Sequence, residues 1–473
     1  MKDGSEHSEC DDQRVRASSE PPPIPFVQSG SYPVRDGNLI TPLVDGEPAF
    51  RRVCEAIQHA QHAVWVTVTV MWPGFQMPDG LGSTLDVLDR AAARGLDVRV
   101  LFWRPDQQTA RYFRTAFWGS DEHLAVLESR RSGIKVRWDR ARPGYCQHQK
   151  SWLIDAGHDA SLAILGGINL NPHSVVAPGH LGPDQNHDVY VELAGPCVAD
   201  VHHNFVQRWN EASERDLPGG RWGEESGSNL TFPAHTPSIR GDATAQVQRT
   251  IPAERYHDGH SAPGAQPFAI SRGERSNFDQ YVAAINAARQ SIYMENQFLS
   301  VPEIIAALRG AVERGVEAAV LMPAGPDVEV RTVTSPERAA ILATRAELGR
   351  FENFTLAGLA GLGAGSSRHA VYVHSKLMIV DDAWATVGSC NLHRYSLFGN
   401  SELNVAFAGD APVRHLRNTL LGELLGQDTT GMDGASALRL LRETALENTR
   451  KQAAGDAAWQ GLVHRLDPTR HVG

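Results

Sequence analysis

The chain has 473 residues, of which 41% are hydrophobic and 21% charged, an ordinary balance for a globular protein of two or three domains. A net charge of −10 excludes a global basic field, so no nucleic-acid partner is expected. The longest apolar runs fall short of the roughly 18 residues a membrane span needs, and no apolar core of a secretory signal follows the polar start.

In chain order, residues 1–35 read as an N-terminal tail, with Pro21-Pro22-Pro23 inside it. Glu55-Ala56-Ile57 then runs as a helix into the apolar strand Ala63-Val64-Trp65-Val66-Thr67-Val68. Ala93-Arg94-Gly95 stops a second helix ahead of the strand Val98-Arg99-Val100-Leu101. Next comes His148-Gln149-Lys150, with four residues between it and Asp155, and the strand Trp152-Leu153-Ile154. A Gly/Asn turn, Gly166-Gly167-Ile168-Asn169, follows. Residues 211–244 are rich in Gly, Ser, Pro and charge and read as a linker.

The same order then returns. Ala284-Ile285 leads into Ser291-Ile292-Tyr293-Met294, and Glu313-Arg314-Gly315 precedes Glu317-Ala318-Ala319-Val320-Leu321. His374-Ser375-Lys376 has four residues between it and Asp381, and Gly388-Ser389-Cys390-Asn391 closes the set. Only five lysines occur in the chain, and two of them stand in these frames. The long repeat predicts a first lobe over 36–210 and a second over 245–430. Alternating helix and strand predicts an α/β fold of two tandem α-β-α sandwich lobes related by a pseudo-two-fold axis. Residues 431–473 read as a helical tail, with a packing helix from Ala435 to Lys451.

Residues i and i+2 of an extended strand face one way, so His148 with Lys150, and His374 with Lys376, point to one side. Brought together around one phosphate, one imidazole would attack phosphorus and form a phosphohistidine. The other would protonate the departing alcohol and then activate the water or alcohol acceptor. Lys150, Lys376, Asn169 and Asn391 would surround the charged oxygens, with a hydroxyl contact to phosphate from Ser389 and none from Gly167. This chemistry requires no metal, and no cofactor is expected. Asp155 and Asp381 fall on the opposite strand face and read as turn or strand-end groups. His257-Asp258-Gly259-His260 reads as a solvent-facing loop rather than a metal site.

With both frames intact, the chain resembles the phospholipase D superfamily over about residues 40 to 425. Ile292 to Phe298, Val371 to Leu377, and His187-Asp188 through Pro196 to Trp209 resemble further blocks of that family. The resemblance implies a phosphatidyl-histidine intermediate, with His148 as nucleophile and His374 as acid/base. It also implies that each imidazole meets a downstream carboxylate, for which Asp188 and Glu402 stand in the matching places. The implied substrate is a glycerophospholipid met at a membrane surface. Hydrolysis or transphosphatidylation is the first reading, with a cardiolipin-synthase-like transfer and then a nuclease-type phosphodiesterase as alternatives. Trp72, Phe75, Met77 and the stretch Leu356 to Gly365 are candidate apolar lip residues, and the Gly-rich run Gly358 to Gly365 reads as an access loop. Cys10, Cys54, Cys146, Cys197 and Cys390 are odd in number without metal spacing and read as reduced thiols of a cytoplasmic enzyme peripheral to the membrane. Cys390 reads as buried and inert.

Overall fold

The computed structural model describes residues 23–110, 116–117, 119–130, 133–214, 229–324, 335–363, 367–469 and 471. The expected N-terminal tail up to residue 22, including Cys10, Pro21 and Pro22, lies outside them, as do residues 215–228 of the expected linker and 364–366.

Strands β1 (Arg35–Val44), β2 (Ala63–Val68), β3 (Asp97–Arg104), β4 (Lys135–Arg140), β5 (Ser151–Ile154), β6 (Leu162–Gly166), β7 (Asn186–His187) and β8 (Val189–Ala194) belong to the first half. The second half holds β9 (Ala243–Ile251), β10 (Glu274–Arg275), β11 (Ser291–Glu295), β12 (Glu317–Leu321), β13 (Phe354–Leu362), β14 (Arg368–Val373), β15 (Leu377–Val380), β16 (Trp384–Gly388), β17 (Glu402–Ala408) and β18 (Val463–Arg465). Hydrogen-bonded neighbours run β4-β3-β2-β5-β6-β8-β1 and then β9-β17-β16-β15-β11-β12-β13. The second series mirrors the first about the antiparallel β1–β9 pair, so the expected pseudo-two-fold falls at that seam. The fold is a mixed α/β sheet flanked by helices.

Equivalent segments repeat in detail. Helix Gly46–His59 feeds β2 as helix Ser276–Ala287 feeds β11. Helix Thr84–Ala93 ends at Gly95 with φ 88°, and helix Pro302–Glu313 ends at Gly315 with φ 89°. Both glycines take the left-handed turn that a β-carbon disfavours, and both return the chain to a parallel strand. Along β2 the side chains alternate between two cores. Val64, Val66 and Val68 pack outward with Phe50, Val53 and Ile57 of the first helix. Ala63 and Trp65 join an inner core with Val198, Val201 and Phe205 of helix Val198–Asn210. That inner core continues into the second half through Leu377, Val387 and Val405.

Three expectations are corrected. Leu356 to Leu362 forms neither a lip nor, from Gly358, an access loop but most of β13, with Leu356 and Leu359 buried. Its small residues serve close approach: a β-carbon on Gly361 would stand 1.9 Å from the His180 carbonyl oxygen, and one on Gly358 would stand 2.8 Å from Ala324 Cβ. Phe75 and Met77 form no lip either, since both lie in the outer core of the first half. The C-terminal helix spans Gly434–Ala453 and packs through Leu438, Leu441 and Ala445. Beyond it the tail is not helical throughout: β18 pairs antiparallel with β13.

Candidate active site

Each histidine frame sits in an extended stretch immediately ahead of a strand, His148 to Lys150 before β5 and His374 to Lys376 before β15. Both stretches dock on the opposite half. The His148 N–H donates to the Ser401 carbonyl at 2.8 Å, and the His374 N–H donates to the His187 carbonyl at 2.8 Å. Ser401 and His187 directly precede Glu402 and Asp188, so this docking carries each carboxylate to the imidazole of the other half.

The pairing is therefore crossed. His148 Nδ1 lies 2.8 Å from Glu402 Oε2, and His374 Nδ1 lies 2.5 Å from Asp188 Oδ2. This corrects the expectation of a downstream partner for each ring: Asp188 lies upstream of His374 and belongs to the first half. Carboxylates only accept, so each Nδ1 carries the proton and each Nε2 presents a lone pair. Asn169 Nδ2 stands 3.5 Å from His374 Nε2, in donor position.

Ser389 does not present its hydroxyl to a phosphate site. Its Oγ is buried, donates to Glu402 Oε2 at 2.6 Å and accepts from the Leu403 N–H at 3.0 Å. Gly167 serves the matching carboxylate by being small, since a β-carbon there would stand 2.2 Å from Asp188 Oδ1. Asn391 is buried, and the amide oxygens of Asn169 and Asn391 are both buried without a hydrogen-bond partner.

The two lysines are nearly inaccessible, Lys150 at 2% and Lys376 at 1% exposure. Each folds back so that Nζ donates to the carbonyl of its own frame's histidine, at 2.6 Å for Lys150. Burial pushes Lys150 down to about 8, against the pull of Glu402. Burial and the Lys376 ammonium push His374 down to about 4, with Asp188 opposing. Burial likewise lowers His148, opposed by Glu402, with Lys150 and Lys376 both adding to the fall. Lys150 also lowers His374. Each imidazole thus feels both ammonium groups, and the frames share one electrostatic site. Burial raises Asp188 and Glu402, but the imidazoles and lysines outweigh it and hold both below their usual range.

The last residues of the frames turn away. Asp155 accepts the N–H groups of Gln61, His62 and Ala63 at 2.7–3.0 Å, and Asp381 those of Arg289, Gln290 and Ser291 at 2.8 Å. Each locks the loop entering the neighbouring strand, β2 or β11. Cys390 is fully buried, and burial raises its thiol well above the usual value. His260 stacks on Phe232 with centroids 4.7 Å apart.

Sequence reasoning missed a buried group beside the His374 frame. His187 Nδ1 lies 2.9 Å from Asp45 Oδ1 and its Nε2 3.1 Å from Glu295 Oε2. Glu295 also accepts from Ser375 and Tyr293. His187, Tyr293, Glu295 and Ser375 stood in noticed blocks without a role being read for them; Asp45 and His180 carry no local signal.

The family model described as Cardiolipin synthase, PLD-like domain matches residues 53–209 and 281–421. The chain belongs to this phospholipase D-like family. The model described as Phospholipase D matches residues 173–301. A cardiolipin synthase of Listeria welshimeri is 23% identical over 404 residues, 85% of this chain and 71% of that protein. Cardiolipin synthase A of Pseudomonas entomophila is 26% identical over 386 residues, 80% of this chain and 66% of that protein. In fold, this phospholipase D-like chain is similar to the crystal structure of phosphatidylserine synthase from Haemophilus influenzae. The TM-score is 0.52, covering 88% of this chain and 94% of that one at 11% identity. The phospholipase D-like chain is thus an enzyme of the phosphodiesterase and phosphatidyltransferase type. Among the described residues, no helix is long and apolar enough to cross a membrane.

Proposed function

We propose that this enzyme transfers the phosphatidyl group of a glycerophospholipid, in two steps through a phosphohistidine on His148, to water or an alcohol. The observation that carries the reading is the crossed pair of carboxylate–imidazole contacts under the influence of both lysines. His148 Nε2 attacks phosphorus and the bond to the headgroup oxygen breaks. His374 delivers a proton to that oxygen from its Nε2. In the second step His374 Nε2 takes the proton of the acceptor hydroxyl, whose oxygen attacks phosphorus and releases His148.

The free imidazoles are held neutral at neutral pH, which suits a nucleophile. His374 needs a proton at the first transition state, and the incoming phosphate anion with Asp188 favours its uptake. Lys150 and Lys376 offset the charge that develops on the phosphoryl oxygens. The order of the two histidines follows the family resemblance. The names of the relatives favour a lipid alcohol as acceptor, which makes a cardiolipin-synthase-like transfer the second reading.

Purified enzyme is incubated with phosphatidylcholine, phosphatidylglycerol or single-stranded DNA, and the products are identified. Free headgroup with phosphatidic acid supports hydrolysis, and cardiolipin from phosphatidylglycerol supports transfer to a lipid alcohol. Cleaved DNA with untouched lipid would refute the lipid reading. His148→Ala and His374→Ala each abolish turnover, and near wild-type activity in either removes that residue from the chemistry.

A further inference from the structure

We propose that Asp45, His180 and His187 bind one zinc ion at a buried site. The group lies behind the His374 frame and takes no part in the reading given above. Asp45, His180 and His187 are each 0% exposed, and one donor atom from each lies within 4.8 Å of the others. His180 Nε2 is 3.3 Å from His187 Nδ1 and 3.4 Å from Asp45 Oδ1. His187 Nδ1 is 2.9 Å from Asp45 Oδ1; Glu423 Oε1, 3.5 Å from His180 Nε2, accepts the Gly179 N–H at 2.7 Å and stands outside the donor set. Zinc bonds of about 2.0–2.2 Å in a tetrahedron set donor atoms roughly 3.3–3.5 Å apart, which these separations approach.

Charge points the same way. Three carboxylates, of Asp45, Glu295 and Glu423, surround two imidazoles, and no described ion pair joins any of them to an arginine or lysine. Buried anions need a counter-charge. Asp45 Oδ2 and His180 Nδ1 are buried with no hydrogen-bond partner. A carboxylate also stands behind the ligating ring, as is common for metal-bound histidines: Glu295 Oε2 lies 3.1 Å from His187 Nε2. Two imidazoles and one carboxylate as donors favour zinc over calcium or magnesium. Asp45 directly follows β1, His180 precedes β7 and His187 ends it. The ion would therefore pin the end of β1 to the segment that leads into Asp188.

The full chain is purified without a metal-chelating tag and its metal content measured by mass spectrometry. Zinc stoichiometric with protein is expected, and it is lost in Asp45→Asn and His180→Gln. Should those variants fail to fold, the wild-type chain decides the matter. Stripped with a chelator, it should melt at a lower temperature, recover with zinc but not magnesium, and show the intense visible bands of tetrahedral cobalt when loaded with Co²⁺. A wild-type chain that carries no zinc and takes up neither zinc nor cobalt overturns the site and leaves a proton-linked His–carboxylate network. Zinc retained in folded double variants overturns it too.

Discussion

The chemistry turns on single contacts whose effects can be separated. Glu402 holds His148 by Nδ1 and is itself held by Ser389 Oγ and Asn400 Nδ2, the latter at 3.2 Å. In Glu402→Gln the amide can offer its NH₂ to Nδ1, which pulls the ring into the tautomer whose Nε2 is protonated and non-nucleophilic. Turnover should fall about 10²–10⁴-fold with little change in KM; wild-type turnover in steady-state kinetics would end the orienting role. Lys150 supplies a pH signature. With its ammonium pushed down to about 8 by burial, the charged, phosphate-attracting form dominates below that pH and disappears above it. For the free enzyme kcat/KM should therefore fall about tenfold per pH unit above roughly pH 8. Lys150→Arg, slower overall, should lose this alkaline limb because its guanidinium stays charged. A limb that persists unchanged in Lys150→Arg would assign it to another group. The histidine and lysine positions were legible because their spacing recurs within one chain. The family resemblance pointed to Asp188 and Glu402, but their crossed pairing was not legible, since they reach their rings across 186 and 254 residues. Ser389 was misread for a related reason: sequence places its hydroxyl in the turn but not the carboxylate that captures it.

At the scale of elements, the repeat is carried by backbone locks as much as by apolar pattern. Asp155 and Asp381 have φ of 51° and 54° and gather the three N–H groups that lead into β2 and β11. Those strands pair antiparallel with β5 and β15, the strands that continue from the two frames. Removing the acceptor in Asp155→Ala leaves those N–H groups without their partner, at a cost of about 1–3 kcal/mol. Denaturation curves should show that loss while the folded variant keeps near wild-type kcat. An equal stability with lost activity would instead make Asp155 part of the chemistry. Strand and helix identity were readable from period and glycine stops. The stretch from Leu356 was not, because Gly and Ala mark loops unless something presses close, and here the His180 carbonyl and Ala324 do.

The whole molecule is one mirrored sheet with its site on the seam. β1 and β9 pair across the halves, β7 pairs parallel with β14, and Gln147 bridges to Ser401. Two lobes were legible from the repeat, but their junction was not, because edge pairing between β1 and β9 leaves no periodic trace in either strand. This geometry makes each half incomplete in a particular way: the first supplies His148 and the carboxylate for His374, and the second supplies His374 and the carboxylate for His148. Groups that act as a unit give non-additive losses. His148→Ala, His374→Ala and the double variant should accordingly share the same residual rate, rather than the double losing the product of the two factors. The crossed contacts also close within a single chain. Mixing folded His148→Ala and His374→Ala proteins should therefore restore no activity at any ratio. Recovery of activity on mixing would require a site assembled from two chains, and the intramolecular seam would have to be abandoned.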